Sequence, residues 1–347
     1  MFASFKGCPA CGVPRRIAFV HRWREDGILE SRMGAARAIM IERDAFAGVL
    51  ERIEEALGIP IDHILIDAKR RDAKLYVDDV LAGFAGRVVR MGPLRRLGYL
   101  VMIRQAATIG LAKAQLLAYR TGKRFIGRAL PVYHPVLFVG DVCGAFESLE
   151  RKRARPVYGN IGEAWYCELY VDESLPVEER LELEKTPEVP AQAGHERCAR
   201  CGVPRGIGDF RWDLEQGKII DRRTGEWVIY INVEGVNSVL RELEREIGEE
   251  IPRLVHEFTA DFYSRLASEH PGSFLSDLAF MKLRGFGVPE REDPGEEELR
   301  SGILVRNAFN APMVAGMVAA AYRGEGRRFT WEVPEKGTVL VRLEVSS

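Results

Sequence analysis

Along residues 46–57 the apolar side chains fall at Phe46, Val49, Leu50, Ile53 and Leu57, with mostly charged residues between them. That three- and four-residue spacing predicts a helix with one buried face. The same pattern returns 190 positions later, at Val236, Val239, Leu240, Leu243 and Ile247. Both runs stop at a glycine, Gly58 or Gly248, and an isoleucine–proline pair follows each stop: Ile59–Pro60 and Ile251–Pro252. Glycine accommodates the left-handed backbone that ends many helices. Ahead of each helix the chain carries a tryptophan (Trp23, Trp212) and two turn glycines (Gly27 and Gly34, Gly217 and Gly225), the signature of a short β-hairpin.

The C-terminal parts match with a different offset. YHPVLFVGDVCGAF at 133–146 aligns with FNAPMVAGMVAAAY at 309–322, Gly140 on Gly316 and Phe146 on Tyr322, an offset of 176. Each predicts a helix rich in small residues, then a basic turn and two β-like runs: 155–158 and 164–171 in the first copy, 328–333 and 338–345 in the second. Between these matched ends, the pattern predicts helices over 59–84 and 94–119 in the first copy. In the latter, Leu97, Leu100, Val101, Ile103, Ala107, Leu111 and Leu116 form a broad apolar face. The second copy predicts helices over 251–268 and 273–283, then a polar loop, GFGVPEREDPGEEELRSG.

Agreement in order across two halves points to tandem duplication. The first repeat covers 1–174 and the second 196–347. An acidic, proline-containing linker at 175–195 joins them, with a helical turn or two expected within 177–184. The expected fold class is α/β in the α+β sense. Each copy has a C-x-x-C knuckle and β-hairpin, then helices, then an antiparallel terminal strand pair with helices on one side.

Composition adds little to this except compartment and charge. With 46% hydrophobic and 29% charged residues the chain reads as globular. Its longest apolar stretch, 312–322, is too short to span a bilayer. The start, MFASFKGCPAC, lacks the regions of a signal peptide, so the reducing cytoplasm is the expected location. There, paired cysteines signal metal or redox chemistry more often than disulfides. Residues 1–174 hold 27 Lys and Arg against 20 Asp and Glu, a balance of +7, and the remainder holds 23 against 31, or −8. Opposite signs on two similar halves favour their docking to each other. An anionic partner is the competing explanation. No aromatic interleaving or nucleic-acid motif accompanies the arginines, so nucleic acid is not an expected partner.

The strongest chemical signal is an octapeptide written twice: CPACGVPR at 8–15 and CARCGVPR at 198–205. A C-x-x-C turn presents two thiolates, and the following glycine, Gly12 or Gly202, permits a left-handed turn. A closed zinc site needs four ligands, so each knuckle supplies half. Three arrangements remain open, beside the plain alternative of buried free thiols. Cys8, Cys11, Cys198 and Cys201 could share one structural zinc between the copies. Each knuckle could instead recruit a local ligand, His21 or His195, although these do not correspond between copies. The pairs could also be redox dithiols, but the flanking strand and helix of such sites are missing. The shared tetrathiolate is the favoured reading, with Arg15 and Arg205 either offsetting its negative charge or simply solvated.

Other candidates are weaker. His134 and its match Asn310 begin probable helices, where Asn caps well and His poorly. His134, Asn310, Phe138 and Met313 are the candidate ligand-binding residues. Lys69, Arg70, Arg71, Asp72, Lys74, Asp78 and Asp79 alternate in sign at helical spacing and read as a solvated face. Cys143 reads as a small core residue and Cys167 lies in a terminal strand, and neither has the partners of a nucleophile. No phosphate loop, zinc-protease motif or nucleophile elbow is present, so no catalytic residue is assigned.

Several segments resemble the four-vinyl-reductase, or hydrocarbon-binding, domain, a family that shares its fold with ligand-binding subunits of the TRAPP trafficking complex. They are ATIGLAKAQLL (107–117) and LRGFGVPE (283–290), the helices FVGDVCGAF and VAGMVAAAY, and the hairpins ending GEAWYCELYV (162–171) and KGTVLVRLEV (336–345). The resemblance covers about half of each copy. It implies an apolar pocket between helices and sheet for a hydrophobic or aromatic molecule, in a sensor or carrier with a partner protein for output. Members of that family commonly bind metal through cysteines at the terminal hairpin. Only Cys167 stands there, which sets the four knuckle cysteines apart as an independent feature. The resulting expectation is a non-enzymatic, zinc-stapled pair of ligand-binding domains. The alternatives are an interaction or scaffold subunit without a small ligand, or a dithiol redox protein.

Overall fold

The computed structural model describes residues 7–33, 36–92, 94–175, 184–271, 278–292, 294–322 and 328–344. In the first half the elements are α1 (Arg15–Val20), β1 (His21–Trp23), β2 (Leu29–Ser31), β3 (Arg37–Glu42), α2 (Arg43–Leu57), α3 (Asp62–Val80), α4 (Phe84–Val89), α5 (Leu94–Thr108), β4 (Ala112–Arg120), β5 (Arg124–Val132), α6 (Pro135–Glu150), β6 (Ala154–Ile161) and β7 (Ala164–Val171). The second half has a 3₁₀ turn (Arg205–Asp209), then β8 (Phe210–Asp213), β9 (Lys218–Asp221), β10 (Trp227–Asn232), α7 (Val233–Ile247), α8 (Glu250–Glu269), α9 (Ala279–Arg284), β11 (Val288–Pro289), α10 (Glu296–Ser301), β12 (Ile303–Arg306), α11 (Ala311–Ala321), β13 (Arg328–Glu332) and β14 (Thr338–Glu344). The fold class is mixed α+β, with antiparallel sheets throughout the described residues.

Both hairpins enter one six-stranded sheet, ordered β1-β2-β3-β10-β9-β8. At its centre β3 and β10 pair antiparallel, from Ala38 opposite Asn232 to Glu42 opposite Val228. Met40 faces Tyr230, so positions 190 apart meet directly. Strand alternation explains why β3 is buried along its whole length. Ile39, Ile41, Ile229 and Ile231 face a large helical core. Ala38, Met40, Val228 and Tyr230 face a smaller core that also contains Val13, Ile17, Val203 and Ile207, beneath the cysteine knuckles.

The other two sheets share one strand order, β4-β5-β7-β6 and β11-β12-β14-β13. Each terminal strand pair is therefore half of a four-stranded sheet. The helices pair across the halves as well as within them: α2 packs on α8, and α3 on α7. The large core accordingly takes Phe46, Leu50 and Ile53 together with Val239, Val255 and Phe262. Within each half, α6 lies on α3 and α11 on α8. A Cβ on Gly140 would fall 2.7–3.1 Å from Lys69 Cβ, the Ile66 carbonyl oxygen and the Arg70 nitrogen. On Gly316 it would fall 2.6–3.0 Å from the His256 carbonyl oxygen, the Ala260 nitrogen and Thr259 Cβ. Those partners again stand 190 apart.

Several expectations need correction. The helix expected over 94–119 ends at Thr108, and 112–120 is a strand. Gly110, at φ +79°, turns the chain where a Cβ would meet the Val228 carbonyl oxygen at 2.6 Å. From there β4 pairs with β5, a strand the sequence reading did not anticipate. The helix expected over 59–84 stops at Val80, and α4 begins at Phe84. The polar loop at 285–302 contains β11 and α10, and β12, paired with β14, follows it directly. The charged positions of α3 are only partly solvated: Asp79 is exposed and Arg71, Lys74 and Asp78 are partly so. Lys69, Arg70 and Asp72 are buried because α3 is covered by both α6 and α7. Their charges are paired: Lys69 with Asp72 (2.7 Å) and Arg70 with Glu147 (3.1 Å). The turns expected within 177–183, Gly34, and the first residues of the helix expected at 273–283 lie outside the described residues.

Charge complementarity between the halves takes the form of specific pairs. Arg52 meets Asp261 at 3.0 Å and Arg71 meets Glu242 at 2.9 Å, while Arg24 meets Glu188 of the linker at 2.9 Å. A fully buried cluster joins Arg284 to Glu42 and to Asp221 (2.7 Å), while the Tyr263 hydroxyl donates to Glu42 (2.6 Å).

Candidate metal centre

Each knuckle is a tight turn closed by its own backbone. The Cys8 amide donates to the Val13 carbonyl (2.8 Å) and the Gly12 amide to the Cys8 carbonyl (2.7 Å). The second knuckle repeats this: Cys198 to Val203 at 2.8 Å and Gly202 to Cys198 at 2.9 Å. Gly12 and Gly202 sit at φ +76° and +74°, a region that disfavours any side chain. Pro14 and Pro204 close the turns by bridging to Gly7 and Arg197. Below them α1 and the 3₁₀ turn insert Ile17 and Ile207 into the small core, which fixes both knuckles on the same face of the sheet.

The two knuckles face each other. Cys8 Sγ lies 4.0 Å from Cys198 Sγ, and Cys11 Sγ lies 3.5 Å from Cys201 Sγ. All four sulfurs fall within 4.8 Å of one another, with no histidine or carboxylate in the group among the described residues. A tetrahedron with Zn–S bonds of about 2.3 Å has edges of about 3.8 Å, so the donor set has the size and chemistry of a tetrathiolate metal site. Cys8 and Cys198 are buried, while Cys11 and Cys201 are partly open.

Local electrostatics divide each pair. Backbone amides, foremost that of Ala10, lower the Cys8 pKa. Those of Arg200 and Cys201 lower Cys198 to about 6. Burial pushes Cys11 up to about 12 and raises Cys201. A cation at the centre of the four would supply the positive charge that keeps the whole set deprotonated.

The histidines weighed as local ligands stand elsewhere. His21 stacks on Tyr230 with ring centroids 4.5 Å apart, and burial lowers its pKa to about 4. His195 is half-buried and is likewise lowered to about 4, chiefly by burial. Arg15 is exposed, and Arg205 pairs with Glu196 at 2.8 Å on the surface. Sequence reasoning missed Arg197. Its guanidinium donates to the Gly202 carbonyl (3.1 Å) and to the Trp23 carbonyl (2.8 Å), tying the second knuckle to the first half's hairpin. Gly7 occupies the matching position in the first knuckle, so the repeat itself carried no signal for it.

No family model, curated protein or solved structure matches the chain. What this centre can do is therefore read from its own geometry. Four thiolate ligands fill a tetrahedral coordination sphere, leaving no position for water or substrate. An ion held there would join the two knuckles.

A second concave feature is lined mostly by the first half, with Tyr230, Ile231 and Asn232 of β10 on one side. A cavity of about 400 Å³ is bounded by α3, α5, β4, α6 and the centre of β10. Phe138 lines it. His134 caps α6, its Nδ1 accepting from the Leu137 amide (3.2 Å), despite the poor capping record of histidine. Asn310 caps α11 in the same way (3.1 Å from the Met313 amide), and Met313 is fully buried in the core. Cys143 and Cys167 are buried free thiols, raised in pKa by burial.

Proposed function

We propose that the protein is a non-enzymatic binding module whose two duplicated halves are stapled by one structural zinc ion, with the first half enclosing a small apolar molecule. The observation that carries the zinc staple is the convergence of four sulfurs, two from each half, within 4.8 Å. Soft thiolates in a tetrahedron suit zinc, and the closed coordination makes the ion a clamp rather than a catalyst. Duplication is supported by the matched sheet orders and by the meeting of positions 190 apart at both the knuckles and the strand pair. A reducing compartment such as the cytoplasm suits free thiols, and no described helix is long and apolar enough to cross a membrane.

The apolar cavity supports the ligand-binding part of this reading, in keeping with the resemblance to hydrocarbon-binding domains. Output would pass to a partner protein. A second reading, an interaction subunit, draws support from the exposed apolar side chains Leu94, Leu97, Leu100 and Val101 on α5. Metal analysis with X-ray absorption on the purified protein tests the staple. One zinc per chain with four sulfur ligands is expected, lost when cysteines of either knuckle are replaced. Two ions per chain, or nitrogen ligands, would overturn it. Native mass spectrometry separates the two readings, since a retained small molecule belongs to the first alone.

A further inference from the structure

Exposed apolar side chains gather on one helix. Met91, Leu94, Leu97, Leu100 and Val101 are each between 40% and 64% exposed and fall within eleven consecutive positions. Single exposed leucines are ordinary, but a contiguous set marks a contact surface. At about 100° per residue, Leu94, Arg96, Leu97, Leu100, Val101 and Arg104 share one arc of α5 about 160° wide. All six are exposed, while Gly98 and Tyr99 on the other side of the helix are buried. The outward face of α5 therefore carries leucines where a solvated helix carries polar residues.

The charge around this face has one sign. Residues 81–140 hold ten Lys and Arg and no Asp or Glu. The aligned stretch of the second half, 271–316, holds five against seven, so the framework does not require a basic surface there. Three of the ten are offset by acids from other segments. Arg90 meets Asp78 and Arg95 meets Glu150, both at 2.7 Å, and Arg124 meets Glu168. Arg87, Arg96 and Arg104 on α4 and α5 remain exposed. α1 adjoins this helix through Arg16, which donates to Gln105 (2.9 Å), and Phe19, one turn further along α1, is 70% exposed.

We infer that α5 and the end of α4 dock the protein on a membrane surface containing anionic lipid. Leu94, Leu97, Leu100 and Val101 enter the boundary between headgroups and acyl chains, and Arg87, Arg96 and Arg104 meet lipid phosphates. The unbroken positive charge selects an anionic partner. The apolar part selects lipid, because the arc carries aliphatic side chains and no ring on which the bases of a single-stranded nucleic acid could stack. Arginine suits this boundary, since its stem covers apolar surface while its head stays among polar groups. The helix lies on the bilayer and does not cross it: its fifteen residues reach about 22 Å, short of the hydrocarbon core of about 30 Å. This goes beyond the zinc staple and the cavity and rests on neither. It gives the exposed face of α5 a lipid occupant in place of the partner protein of the second reading above.

The test is co-sedimentation of the full, metal-loaded chain with vesicles of phosphatidylcholine alone or of phosphatidylcholine and phosphatidylglycerol in equal parts. Binding to the mixed vesicles is expected to be about tenfold or more tighter than to the neutral ones, and to weaken as salt rises from about 0.1 M to about 1 M. Arg87→Glu combined with Arg96→Glu should weaken it about tenfold or more. Leu94→Ser combined with Leu100→Ser should weaken it to a similar degree although the net charge is unchanged. All four side chains are exposed, so neither double variant disturbs the core. No binding to the mixed vesicles, or equal binding to both kinds, overturns the inference. So does a dimer in lipid-free sedimentation velocity that the leucine variant loses, since the face would then belong to a second copy. An oligothymidine strand that binds the parent and the leucine variant alike, and displaces the parent from vesicles, would give the surface to nucleic acid instead. The zinc count and the cavity are untouched by each of these results.

Discussion

His134 offers a pH-dependent prediction. Its imidazole is buried at the start of α6, and burial, with the Arg43 guanidinium adding to it, lowers its pKa from 6.5 to about 4. Its Nδ1 accepts from the Leu137 amide, a bond that protonation of that nitrogen would remove. An unfolded chain takes up this proton near pH 6.5, the folded chain only near 4, so the folded state binds fewer protons between those values. The contribution of neutral His134 is therefore complete above about pH 6.5 and is lost as pH falls towards 4. A depression of that size corresponds to roughly 3 kcal/mol. Asn310 shows which residue keeps the cap without the titration, since it holds the equivalent position and accepts from the Met313 amide. His134→Asn should match the parent protein at pH 7.5 and exceed it by about 3 kcal/mol near pH 4. Urea denaturation across that range, with both proteins carrying the same metal load, measures the difference. Parallel stability curves at every pH would show that His134 titrates normally in the folded chain and would refute the reasoning.

Other outcomes follow from the packing and the metal centre. Chelation, or replacement of Cys8 or Cys198 by serine, should lower the thermal midpoint to a common value. With free zinc at about a thousandfold its dissociation constant the loss is about 4 kcal/mol, or on the order of 10 °C, read by calorimetry. Gly140→Ala and Gly316→Ala should each destabilise by about 1–3 kcal/mol through overpacking. Gly48→Ala in α2, where the nearest neighbour stands 3.9 Å from the new Cβ, serves as the contrast. It should be neutral or gain up to about 1 kcal/mol in denaturant titrations. Arg284→Met leaves the buried carboxylate of Glu42 without its cation, while Asp221 keeps Arg223 at 2.8 Å, and should lose roughly 3 kcal/mol, readable as a lowered urea midpoint.

Local features of this fold were legible in the sequence, and non-local ones were not. The amphipathic spacing of α2 and α7, their glycine stops and the strand at 164–171 all depend on neighbours a few residues away. The four cysteines could be read because the octapeptide repeats itself, so that each half pointed to the other. The helix expected over 94–119 failed because Leu111 and Leu116 continue a helical spacing through Gly110, and short apolar runs do not separate strand from helix. β5, with Gly127 and Pro131 inside it, looks like a poor strand until its partners β4 and β7 are known. Lys69 and Asp72 have the alternating charges of a wet helix face. Only the double cover by α6 and α7 makes them buried. The crossing of α2 to α8 and of α3 to α7 leaves no trace in either repeat read alone.

The pairing of β3 with β10 also constrains how the molecule is made. These strands lie at the middle of the sheet yet are 190 residues apart. At about 5–20 residues per second, roughly 10–40 s separate their emergence from a ribosome. During that interval a nascent first half holds an open strand edge at β3, the exposed side of α2 that later meets α8, and two of the four sulfurs. It is a sticky intermediate with half of the candidate metal site, and chaperones that shield strand edges have a defined window in which to act. A metal taken up by all four sulfurs would have to follow the second knuckle, and its capture would register correct assembly of the two ends of the chain.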